Sequence, residues 1–241
     1  MGFWEELWAE AIEQLDDEDK KRIWLHTDDK SAVLDDVLAS AKERQEECRQ
    51  KRWKYKRRDG SEVELRIVFD KIVEKLSQFK DLGDSVAALD STHLAVPWAA
   101  VSLVLQIAVD DSEYLQVVYE GIEMMAVLIP RYTMFECLYL RQDSQIKSVL
   151  QREIIKLYSS ALTFMDKAKS YYAMGTAKRV AKGLFRIFDE FEGLIDKIRE
   201  QQIIVDDLAR LIDSENSHHT RRNVQETLAI IKDKQSILKK R

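Results

Sequence analysis

The sequence predicts an all-α fold, an elongated multi-helix bundle with long C-terminal helices, on three observations. Apolar residues recur three and four positions apart along nearly every segment, the spacing that lines one face of a helix. Only 7 Gly and 2 Pro interrupt 241 residues, and 45% hydrophobic with 34% charged residues supplies both buried stripes and solvated faces. No segment alternates with period two for long enough to make a convincing strand, and no fixed-period repeat occurs. The length suits one large helical domain or two small bundles; the expectation is one domain over 1–241. Within it, 1–26 is an amphipathic N-terminal segment, 27–140 holds core helices, and 141–241 holds long antiparallel helices.

Over residues 2–15, Phe3, Trp4, Leu7, Trp8, Ala11, Ile12 and Leu15 form one stripe, with carboxylates on the other face. Asp16, Asp17 and Asp19 break this helix before a second short segment carrying Ile23, Trp24 and Leu25. From about residue 30, Leu34, Val37, Leu38, Ala41, Gln45 and Cys48 keep helical spacing, and the basic run 49–58 then extends the helix beyond its core. Asp59-Gly60 is a turn, and Ser61 with Glu64 reads as a capping box opening a helix that buries Leu65, Val68, Phe69, Ile72, Leu76 and Phe79.

After a connection over 81–90, residues 94–109 are apolar except for Ser102 and Gln106. Pro97 belongs in the first turn of this helix. The run is shorter than the roughly 20 residues a bilayer requires, so it reads as a central core helix. Residues 114–129 repeat the apolar pattern, and Pro130 kinks or ends that helix before 131–140. Three long helices are expected to follow: 145–172, 176–212, and one after Ser217-His218-His219 carrying Val224, Leu228, Ile231 and Leu238.

The residues contain no catalytic signature, so no enzyme is expected. Nucleophilic catalysis wants a Ser or Cys on a tight turn beside a base, yet no G-x-S-x-G occurs and neither Cys48 nor Cys137 has a neighbouring histidine. No glycine-rich phosphate loop is present. Glu120 and Glu123 share a helix face as in di-iron bundles, but the Glu-x-x-His partners are missing, so neither metal nor cofactor is expected. His26 and His93 at helix boundaries, and His218 and His219 beside Arg221 and Arg222, suit capping or solvation. Two widely separated cysteines suit a reducing, cytoplasmic setting. The N-terminus lacks the basic start and cleavage site of an export signal, and Glu6 spoils a myristoylation pattern at Gly2.

A net charge of −5 argues against a nucleic-acid partner. One run is nevertheless basic: Arg49, Lys51, Arg52, Lys54, Lys56, Arg57 and Arg58, interleaved with Trp53 and Tyr55. It reads as a solvated helix end, a contact for anionic lipid or an acidic partner, or, least in keeping with the charge, a nucleic-acid grip. The first helix also has three readings: docked on its own bundle, docked in a partner groove, or lying in a membrane interface through Phe3, Trp4, Leu7 and Trp8. Eight acidic and no basic residues in the first 19 oppose anionic lipid.

Two stretches carry a resemblance. The Pro97-Trp98-Ala99-Ala100-Val101 opening of the buried helix, and Arg131-Tyr132 followed by Glu136 and Tyr139, resemble the N-terminal helical domain of fungal NACHT and ankyrin-repeat STAND proteins. The likeness is strongest over about 65–190, and its motif residues are core positions. It implies a non-enzymatic effector domain of the HeLo-like kind, standing ahead of a nucleotide-binding module that would alone contact nucleotide. The parent would be an NLR-like receptor, activated by oligomerisation, recruited from cytoplasm to membrane and able to cause cell death. No NACHT motif follows within the 241 residues, so an excised domain is the expectation. Its partners would be proteins or further copies of itself, with membrane lipid as a further contact. The other expectation is an adaptor or scaffold bundle whose charged faces bind protein and never touch lipid.

Overall fold

The computed structural model describes residues 3–15, 33–52, 54–56, 60–85, 100–101, 105, 116–141, 144–173 and 184–238. Among them are six helices: α1 (Phe3–Glu13), α2 (Val33–Lys51), α3 (Leu65–Ser85), α4 (Gln116–Tyr139), α5 (Lys147–Ala173) and α6 (Leu184–Leu238). Two short strands, β1 (Lys54–Lys56) and β2 (Glu62–Glu64), form an antiparallel pair between α2 and α3. The all-α class holds.

Helix α5 sits at the centre because it is apolar on more than one face. Leu150, Ile154, Leu157, Tyr158, Ala161, Leu162, Phe164, Met165 and Ala168 are all buried. It packs against α6 on one side and α1 on another, while α2 packs on α3, α3 on α4, and α4 on α6. Phe164 meets Phe191 of α6 edge to face at 5.6 Å. On its other side it presses against Gly121 of α4, where an added Cβ would fall 1.9 Å from the ring. Glycine is thus what lets α4 come this close to α5.

Four expectations are corrected. The basic run does not prolong its helix: α2 stops at Lys51, one turn after its last buried residue, Cys48. Arg52 then turns left-handed (φ 50°), its N–H donating to the Cys48 carbonyl at 3.0 Å. Beyond Cys48 the helix has no apolar stripe to bury, so nothing opposes the turn.

The capping box does not form either. Ser61 precedes an extended segment, and Glu62–Glu64 pairs with Lys54–Lys56 in the register Lys54↔Glu64, Tyr55↔Val63, Lys56↔Glu62. Two lysines face two glutamates across the ladder, an arrangement that favours a hairpin, and Gly60 (φ 84°) supplies its turn. The expectation of no strand fails here because the alternating stretch is three residues long.

Third, the C-terminal region holds two long helices instead of three. α6 runs unbroken through Ser217-His218-His219 for 55 residues. Ser217 donates its hydroxyl to the Asp213 carbonyl at 2.8 Å instead of capping a new helix, and no Gly or Pro falls between residues 194 and 238. Fourth, of the two readings of Pro130, a kink or an end of its helix, the second fails: α4 continues to Tyr139. Ala100, Val101 and Leu105 are helical and buried, as expected of the 94–109 run. Pro97, Trp98, the 16–32 segment, Arg57 and Arg58 lie outside the described residues.

Candidate functional site

Among the predicted contact residues, Leu7 and Trp8 are buried in the protein's own core, with Ala11, Ile12 and Leu15 beside them. The side chains of Phe3 and Trp4 lie outside the described residues, although both belong to α1. The apolar stripe of α1 therefore faces α5, which matches the first of its three readings, docking on its own bundle.

The docking contact has a polar floor. The indole of Trp8 stacks on the ring of Tyr158 with centroids 3.7 Å apart and planes within 7°. Behind that ring, the Tyr158 hydroxyl donates to Glu136 Oε1 on α4, and both residues are enclosed. Thr133, one turn earlier on α4, is also buried and donates to the Ile129 carbonyl at 2.8 Å. Burial drives the Glu136 carboxyl up to about 8, only partly opposed by the hydrogen bond from Tyr158, so at neutral pH it is mostly protonated. Burial first, then Glu136, pushes the Tyr158 hydroxyl well above its ordinary range. The Trp8 Nε1 donor is buried without a hydrogen-bond partner among the described residues.

The other motif residues clamp α4 to α6. Arg131 donates to Asp206 Oδ2 at 2.7 Å, and the Tyr132 hydroxyl donates to Asp206 Oδ1 at 3.0 Å, so one carboxylate is held at both oxygens. Tyr139 reaches Asp213 at 3.1 Å, two helical turns further along α6. The Arg131 guanidinium also lies over the rings of Tyr132 and Phe135 at 5.5 and 5.4 Å. These contacts explain the motif as structure.

The basic run is divided among elements: Arg49 and Lys51 in the last turn of α2, Arg52 beyond it, and Lys54 and Lys56 on β1. Burial pushes the Cys48 thiol up to about 12 and raises that of Cys137, which disfavours the thiolate a nucleophile needs. Glu123 pairs with Lys71 at 2.8 Å, while Glu120 has one buried oxygen with no hydrogen bond among the described residues. Among the described residues no group of three or more His, Cys, Asp or Glu is placed to hold a metal, and no helix is long and apolar enough to cross a membrane.

Sequence reasoning missed Tyr158, because its neighbour Leu157 carries the helical stripe and only the fold brings Trp8 onto it. It also missed Arg66, which stands apart from the basic run. The family model for a domain of unknown function, DUF7708, matches residues 67–217, more than half of the chain, from the first turn of α3 into α6. No curated protein and no solved structure matches it.

Proposed function

The chain belongs to the DUF7708 family, and from that premise we propose that it works as a non-enzymatic signalling domain in which α1 is the working element. In this reading it is the N-terminal effector of a fungal NLR-like receptor of HeLo-like kind. Clustering of the parent releases α1, and the freed Phe3, Trp4, Leu7 and Trp8 engage membrane or neighbouring copies, with cell death as the outcome.

One observation carries the reading: α1 is seated on the Tyr158–Glu136 pair by a stacked Trp8 whose N–H has no hydrogen-bond partner among the described residues. A buried unsatisfied donor costs about 1–3 kcal/mol, so α1 is held less tightly than its buried stripe alone implies. Clustering has that much less to overcome. The eight carboxylates near the N-terminus favour neutral over anionic membrane or protein contact.

The test is liposome flotation and dye leakage with neutral and anionic vesicles, using the chain alone and the chain clustered through its C-terminus. Leakage is expected only on clustering, and Trp4→Glu is expected to abolish it while leaving the circular dichroism spectrum intact. Leakage undiminished in Trp4→Glu overturns the membrane arm.

A second reading, an adaptor bundle that never meets lipid, is favoured by a different observation. Ile203, Ile204 and Leu211 are exposed on α6, at 61%, 41% and 53%. Such apolar residues on a long helix suit a protein partner.

A further inference from the structure

Three arginines from two stretches of chain, the end of α2 and the start of α3, converge on one cavity of about 330 Å³, lined by Cys48, Arg49, Arg52, Glu64 and Arg66. We propose that this cavity binds a phosphomonoester group, carried on a small soluble compound or on a lipid headgroup. The inference does not depend on the role of α1.

Two of the three arginines stand where the local backbone does not favour them. Arg66 is the second residue of α3, a helix with no acidic residue in its first turn. A cation there opposes the helix dipole, whereas a bound anion between it and the helix end is favoured. Arg52 adopts φ 50° at the position following α2, where glycine is the residue without steric penalty. Arg49, in the last turn of α2 where a cation suits the helix dipole, has its guanidinium 3.9 Å from both Glu46 and Asp70.

The guanidiniums of Arg49 and Arg66 are also under-used. Arg66 approaches Asp70 at 3.5 Å and Glu64 at 3.8 Å, contacts longer than a good charge-assisted hydrogen bond. Asp70 is itself engaged by Gln45, which donates to it at 2.7 Å. By contrast, Arg44 and Arg131 make donated bonds of 2.8 and 2.7 Å to their carboxylates. Glu46, Glu64 and Asp70 thus face these cations only at 3.5–3.9 Å, and Lys51 and Lys54 stand on the adjoining helix end and strand, Lys54 3.8 Å from Glu62.

Why a phosphomonoester? Three guanidinium forks present more donors than one carboxylate can accept, whereas a phosphomonoester offers three terminal oxygens and a charge of about −1.5 to −2 at neutral pH. The fixed forks of arginine match that geometry.

The experiment uses the whole chain at physiological salt, with calorimetry against inorganic phosphate, inositol trisphosphate and inositol hexakisphosphate. Flotation is run in parallel on phosphatidylcholine vesicles with and without phosphatidylinositol bisphosphate or phosphatidylserine. Saturable binding of an inositol phosphate is expected, weakened at least tenfold by Arg52→Gly and by Arg66→Gln, and unchanged by Arg210→Gln on α6. Arg52→Gly relieves the left-handed strain, so its melting temperature should hold or rise, separating lost affinity from lost folding. Binding to soluble compounds alone identifies a free ligand, and flotation that requires the bisphosphate identifies a headgroup; either supports the site. No binding to any probe, or binding untouched by Arg52→Gly and Arg66→Gln, overturns it. Equal flotation on phosphatidylserine, reduced as much by Arg210→Gln, means a diffuse surface charge and overturns it too.

Discussion

At the scale of single residues, Glu136 has a measurable signature. Its carboxyl titrates at about 8 in the folded chain against an ordinary 4.5, chiefly because burial disfavours the charge. Between those values the folded state holds a proton that the unfolded state has released. Stability from this group is therefore greatest at low pH, falls as pH rises from about 4.5 to about 8, and is level above that. The whole effect is on the order of several kcal/mol. Glu136→Gln keeps a carbonyl oxygen to accept the Tyr158 hydroxyl and removes the charge. The melting temperature of the native chain should drop between pH 5 and pH 8 by more than that of Glu136→Gln. Parallel curves for the two would show that the carboxyl ionises as freely folded as unfolded.

At the scale of elements, Trp8 is the largest of the buried side chains that seat α1. Removing an aromatic of this size from a packed core costs about 3–5 kcal/mol, more than a helix of 11 residues can supply by itself. Trp8→Ala should therefore let α1 detach while the α3–α6 body stays folded. Trp8→Phe keeps a stacking ring on Tyr158, deletes the unpartnered N–H and should leave α1 docked. Hydrogen exchange of the α1 amides reads this directly: fast in Trp8→Ala and near native in Trp8→Phe. Unchanged protection in Trp8→Ala would mean that Leu7, Ala11 and Ile12 suffice. Much of the element pattern was legible, since the stripes through Leu7–Ile12, Leu65–Phe79 and Leu150–Ala168 depend only on spacing and are all buried. The hairpin was not, because its strands are three residues each and its lysine–glutamate pairing is a cross-strand property. Nor was the unbroken α6: Ser217-His218-His219 is polar, and polarity alone does not stop a helix where no Gly, Pro or competing cap stands nearby. For the candidate site, Glu136 stood out within a motif, while its meeting with Tyr158 and Trp8 is a tertiary fact with no local trace.

At the scale of the whole molecule, α6 sets the longest dimension. Its 55 residues extend about 80 Å at 1.5 Å per residue, against about 40 Å for the 27 residues of α5. Among the described side chains, the last buried one on α6 is Ile212. Just before it, Ile204 and Leu211 stand seven residues apart, on one face, and exposed. Two apolar side chains one heptad apart on a helix that outreaches its neighbours form the start of a seam for a second helix. If the chain assembles through this face, Ile204→Lys with Leu211→Lys should shift it from oligomer toward monomer in size-exclusion chromatography with light scattering. Substitutions at exposed helical positions usually change stability by within about 0.5 kcal/mol, so the melting temperature should barely move and the shift would belong to the contact alone. An assembly state indifferent to both lysines would remove this face from consideration and leave α1 as the element through which copies meet.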